Sequence, residues 1–147
     1  MSNYVHYGAN SFSRDLFRPI ENQDTQPKPR GGLWASAVNA PFGWRKWCEK
    51  EDYMWSDRDK SFTFRLRHGA RVYHIHSVDD VQKMPEIVAE PWQDSSWYRP
   101  DFERMRSHGI DAIELHLSDD WRMYDELYGW DCDCILIMNP DVIQETR

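Results

Sequence analysis

The chain has no apolar run approaching the roughly 18 residues that a membrane-crossing helix needs, and no membrane partner is expected. The N-terminus, Met1-Ser2-Asn3-Tyr4-Val5-His6, lacks a basic region followed by an apolar core, so no secretory signal is expected either. Cysteine is scarce. Three residues, two of them in Cys132-Asp133-Cys134, cannot make a disulfide framework. A reducing compartment, the cytoplasm, is the expected location. Positive charge is also in deficit: 18 Lys and Arg stand against 25 Asp and Glu, a net charge of −7. That balance argues against indiscriminate binding to nucleic acid or to an anionic membrane. There is no phosphate-cradling P-loop, no dinucleotide fingerprint after a strand and no nucleophile elbow. No repeat, low-complexity tract or linker divides the chain.

Aromatic residues are abundant. They make up 14% of the 147 residues and include eight tryptophans. This is enough apolar area to exclude disorder throughout, and five or six of the tryptophans are expected in the core. The length fits one domain, 1–147. Strands are expected at Tyr4 to Gly8, Leu33 to Ser36, Phe62 to Leu66, Arg71 to Ser77, Ala112 to Leu117 and Cys134 to Met138. The apolar-polar alternation of Phe62, Phe64 and Leu66, with His68-Gly69 as a turn, predicts a hairpin with the strand from Arg71. The unbroken apolar run at Cys134 predicts a buried strand. Trp44, Trp47 and Cys48 recur at helical spacing, which predicts a helix over Gly43 to about Glu51. Asp79 to Lys83 predicts one helical turn. Pro100 to Ser107 predicts a helix closed by Gly109, and Ser118, Asp119 and Asp120 are caps for another carrying Trp121, Tyr124 and Leu127. Residues 84–97 read as a long surface loop. The expected class is α+β with about six short strands.

Two segments suggest chemistry. In Lys28-Pro29-Arg30-Gly31-Gly32-Leu33-Trp34-Ala35-Ser36 a glycine pair, which lacks Cβ atoms and permits close backbone approach to a ligand, precedes an aromatic strand. In His6-Tyr7-Gly8 a histidine and a glycine sit near the start of the first strand. Asp133 opens the last apolar strand, and Glu114 stands mid-strand, opposite in phase to Ile113 and Leu115.

In this order these residues resemble the ADP-ribosyltransferase superfamily of the diphtheria-toxin and poly(ADP-ribose) polymerase type, over nearly the whole chain. The resemblance implies a split mixed sheet and NAD as substrate, with ADP-ribose passed to a macromolecule, protein or nucleic acid. It implies that Asp133 stabilises the positive charge that develops on the sugar as nicotinamide leaves, with Glu114 as the competing acid. His6 would bond a ribose hydroxyl and Trp34 would stack on a ring. Gly8 and Gly32 would let backbone groups reach the nicotinamide amide, with Tyr7, Gly31, Leu33 and Ser36 completing the cofactor-binding motifs. Where the family has glutamate and tyrosine, this chain has Asp133 and Trp34. A monomeric toxin, phage or defence-related modifier is the implied setting. An inactive interaction module on the same fold, or an NAD hydrolase, is the alternative.

A second constellation joins His74-Ile75-His76, His116, Cys132 and Cys134. Strand geometry puts each closely spaced pair on one face, but neither pair has the gap usual between zinc-binding cysteines, and no metal is expected. Arg65, Arg67, His68 and Arg71 read as a solvated basic turn.

Overall fold

A computed structural model describes residues 2–53, 59–88, 92 and 98–146. Its strands are β1 (Tyr4–Tyr7), β2 (Leu33–Ala37), β3 (Ser61–Leu66), β4 (Val72–Ile75), β5 (Ala112–Leu115), β6 (Cys134–Ile137) and β7 (Ile143–Glu145). Its α-helices are α1 (Trp44–Lys50), α2 (Val78–Gln82), α3 (Phe102–Ser107) and α4 (Met123–Glu126). The architecture is α+β, one mixed sheet in the order β4-β5-β6-β2-β1-β3-β7 with four short helices among the described residues. Every described strand pairing is antiparallel except β4 with β5. The expected six strands are present and β7 is a seventh, three residues that extend the edge beside β3.

The hairpin expected between β3 and β4 does not form. β3 pairs with β1 and β7, whereas β4 lies at the opposite edge against β5. The turn at His68-Gly69 is real, with the Ala70 N–H donating to the Arg67 carbonyl at 3.1 Å. It redirects the chain across the sheet, because the Arg67 N–H is already engaged by the Val142 carbonyl at 2.8 Å. Alternation identified both strands but carried no information about their partners.

The apolar run of β6 is buried at all four positions, as its composition predicts. One sheet face packs Ile75, Ile113, Leu115 and Leu136 against α2, α3 and the turn around Trp130. The other packs Tyr4, Phe64, Ile135 and Ile137 with Val142. The helix expected from Pro100 begins two residues later, because the Asp101 carboxylate caps it by accepting from the Arg104 N–H at 3.0 Å. The helix expected after Asp120 is reduced to a 3₁₀ turn at Leu117–Asp119 and the single turn of α4. The loop expected at 84–97 lies in good part outside the described residues, as do Trp55 and Trp97.

Of the six described tryptophans only Trp130 is fully buried; Trp34, Trp44 and Trp47 are half-buried, and Trp92 and Trp121 are exposed. The expectation of five or six core tryptophans is therefore not met among the described residues. Several of these rings wall a cavity instead.

Candidate functional site

β1 and β2 pair through two residue pairs only, Tyr4 with Ala37 and Val5 with Ser36. Beyond them the strands part. The His6 imidazole spans the opening, its Nδ1–H donating to the Trp34 carbonyl at 2.6 Å. A carbonyl only accepts, so this contact places the proton of neutral His6 on Nδ1 and leaves Nε2 as an acceptor. Burial holds the imidazole below its usual pKa, and outweighs the Trp34 carbonyl, which acts in the opposite direction. His6 is thus neutral at pH 7.

A stability prediction follows from the sign of that shift. The unfolded chain takes up a proton at His6 near pH 6.5, whereas the folded chain resists it to lower pH. The contribution of His6 is whole above that pH and is lost as the pH falls towards the depressed folded value. Thermal melts should show Tm falling on acidification below about pH 6.5, with a shallower fall in His6→Gln. His116, also held low by burial, contributes to the same fall. The difference between the two proteins therefore isolates His6. An identical slope in both would remove the assignment.

The opening leads into a cleft of about 290 Å³. Trp34 forms one wall, with its ring edge-on to Trp130 at 4.8 Å between centroids. Trp130 is fixed by burial and by its indole N–H, which donates to the Pro27 carbonyl at 3.0 Å. Trp44, at the start of α1, and Tyr53 supply further aromatic surface. The Lys28 ammonium lies 5.1 Å from the Trp34 ring centre, within cation–π range. Among the described residues, Asp131 is the acid that lines the cleft. Burial raises its pKa and Glu51 adds to the rise, while Lys28 opposes it. A flat heteroaromatic ring fits between such walls, with a cation and a carboxylate at hand for the polar part of the same ligand.

The structure brings His6, Tyr7, Trp34 and Ser36 together at this cleft and places the other motif residues elsewhere. Asp133 is buried with both carboxylate oxygens engaged: Oδ2 accepts the Phe42 N–H at 2.9 Å and Oδ1 the Ser118 N–H at 2.8 Å. It ties two loops to β6 and lines a different groove. Glu114 lines that same groove, its carboxylate accepting the Tyr4 hydroxyl at 2.8 Å. Neither acid faces His6 across the cleft. The glycine pair meets protein, not cavity. A Cβ on Gly31 would lie 2.1 Å from the Pro19 carbonyl oxygen and one on Gly32 2.8 Å from that of Ile137, and both residues have positive φ. Leu33, the first residue of β2, is half-buried and packs against the sheet face that holds Ile135 and Ile137. Gly8, also at positive φ, donates its N–H to the Lys60 carbonyl at 2.9 Å. Ser36 is buried and links elements, its hydroxyl donating to the Asp133 carbonyl at 2.8 Å and accepting the Trp44 N–H at 3.0 Å.

Sequence reasoning missed Asp131, Trp44, Tyr53 and Trp130 as cleft residues. Asp131 had a signal, since it is two residues before Asp133 in a stretch read as leading into a strand. The helical spacing of Trp44 predicts a helix but does not distinguish a core face from a cavity wall. Among the described residues, no helix is long and apolar enough to cross a membrane. The chain matches no protein-family model, no curated protein and no solved structure.

Proposed function

We propose that the cleft binds the nicotinamide end of NAD and that the chain transfers ADP-ribose from it to a macromolecule. The observation that carries this reading is the His6 imidazole bonded to the Trp34 carbonyl where β1 and β2 part, at the mouth of an aromatic cavity. The cavity is sized for a ring and its ribose. The rest of the dinucleotide extends from its mouth, and Lys28, which lines the cleft, is the cation available to a phosphate.

The chemistry follows from the groups present. Nicotinamide stacks among Trp34, Trp44 and Tyr53, while the acceptor nitrogen of His6 takes a hydrogen bond from a ribose hydroxyl. The bond between the ribose C1′ and the nicotinamide nitrogen breaks with its electron pair leaving on the nitrogen, and positive charge builds on the sugar. Asp131, a carboxylate made reluctant to ionise by burial, gains most when that cation develops beside it. The acceptor nucleophile then forms its bond to C1′ and passes its proton to solvent water, while nicotinamide leaves neutral. Asp131, in place of Asp133 or Glu114, is the acid of this reading, because it shares the cleft with His6.

NAD titration followed by tryptophan fluorescence tests the binding step. Trp34, Trp44 and Trp130 line the cleft, so a saturable change is expected. No response at millimolar NAD would sink the reading and favour the interaction module. That alternative draws on the exposed Trp121, Tyr124 and Tyr128 around α4. Release of free ADP-ribose without labelling of any macromolecule would identify a hydrolase.

A further inference from the structure

We propose that His74, His76 and His116 bind one divalent transition-metal ion, zinc being the best match, at a site separate from the aromatic cleft. Three of the chain's six histidines converge there. The parallel register of β4 and β5 brings them together. His74 stands opposite Glu114 and Ile75 opposite Leu115, so one step further along the ladder sets His76 beside His116. The His116 N–H donates to the Ile75 carbonyl at 2.9 Å, which continues that register. Ile75 points into the core and is fully buried, which turns both neighbouring histidines outward on one face.

The geometry suits a metal. One ring nitrogen from each residue lies within 4.8 Å of the others. His74 Nδ1 and His116 Nε2 are 3.1 Å apart. Around tetrahedral zinc, with metal–nitrogen bonds of about 2.0–2.1 Å, two ligand nitrogens stand about 3.3 Å apart. That pair is already at the required spacing, and His76 is an exposed ring that closes by a side-chain rotation. The rings of His76 and His116 are stacked, 4.1 Å between centroids with 8° between their planes.

A second observation is independent of ring spacing. The Asp119 carboxylate lies 2.7 Å from His76 Nδ1. A carboxylate accepts, so Nδ1 carries the proton and Nε2 keeps its lone pair, the tautomer a metal requires. On the other flank the Glu114 carboxylate is 3.7 Å from His74 Nδ1 and is anchored by the Tyr4 hydroxyl. Two acids therefore surround the imidazoles without being needed as ligands. Imidazole donors select zinc, copper or nickel over magnesium and calcium, which prefer oxygen. Three protein nitrogens leave a fourth position for water. It opens on the groove of about 560 Å³ that His74 and His116 line with Ser118 and Asp119. The cysteines of the sequence constellation do not take part. Cys132 and Cys134 are buried in the core. Spacing along the chain does not govern this set, because the parallel strands join His76 and His116 from 40 residues apart.

The test is calorimetric titration of chelator-treated protein with zinc chloride, repeated with cobalt(II) to read geometry from its visible spectrum. One ion per chain and the intense bands of a four-coordinate cobalt site are expected, with no response to magnesium. His74→Asn and His116→Asn should each abolish binding, while His108→Asn, an exposed histidine at the end of α3, should leave it intact. Asp119→Asn should weaken affinity about 10- to 100-fold while keeping the stoichiometry. His74, His108 and Asp119 are exposed and His116 is half-buried, so circular dichroism checks that each variant folds. Absence of stoichiometric binding, or binding that survives in the His74→Asn, His116→Asn double variant, would overturn the proposal. This outcome is independent of whether the aromatic cleft binds NAD.

Discussion

Asp131→Asn is expected to lower ADP-ribosyl transfer from labelled NAD about 10²- to 10³-fold, the usual cost of removing one preorganised electrostatic group from a reacting centre. Asparagine keeps the size of the side chain and removes its charge, so NAD binding by fluorescence should change little. The split between rate and affinity is the informative part. Asp131 is only half-buried, and the structure gives it no hydrogen bond on which the fold depends among the described residues. A loss of transfer is therefore not explained by unfolding. Labelling at the wild-type rate would remove Asp131 from the mechanism, and equal loss of binding and transfer would make it a binding residue.

Asp133→Ala should do the opposite, costing stability and leaving the activity of each folded molecule intact. The buried carboxylate accepts two backbone N–H groups, from Phe42 and Ser118. Hydrogen bonds to a charged acceptor contribute about 1.5–3 kcal/mol each, and alanine leaves both donors unpaired. A loss of about 3 kcal/mol or more, with a fall in Tm of roughly 10 °C, is expected in thermal denaturation. The loop after β2 and the turn before α4 should loosen together, because the one carboxylate holds both. If Asp133→Ala melted like the wild type but failed to transfer, the family-derived role of Asp133 would stand and that of Asp131 would fall.

These two substitutions test the point at which motif and geometry part. Asp133 was the natural choice from order along the chain, as the acid that opens the last apolar strand. Its neighbour two residues earlier is the one that reaches the cleft. A motif argument reads order, whereas the destination of a carboxylate depends on which donors surround it after folding. The backbone N–H groups of Phe42 and Ser118, 91 and 15 residues away, are visible only in three dimensions. The glycine pair behaves in the same way. Its lack of Cβ atoms is needed, but by the carbonyls of Pro19 and Ile137 and not by a ligand.

The sequence by itself determined six of the seven described strands and the longer helices, because alternation, apolar runs and caps act over a few neighbouring residues. It determined that β6 is buried, that His74 and His76 share a face, and that His6 and Trp34 each lie on an early strand. Tertiary structure alone decided which strands pair. It sent β4 to β5 instead of β3 and so brought His116 to His74 and His76. It opened the sheet beyond the Val5–Ser36 pair, and made Trp34, Trp44 and Trp130 walls of a cavity. The physical reason is the same throughout. Periodicity fixes which side of an element a residue occupies, but what it meets there depends on non-local hydrogen bonds and packing between segments distant in the chain.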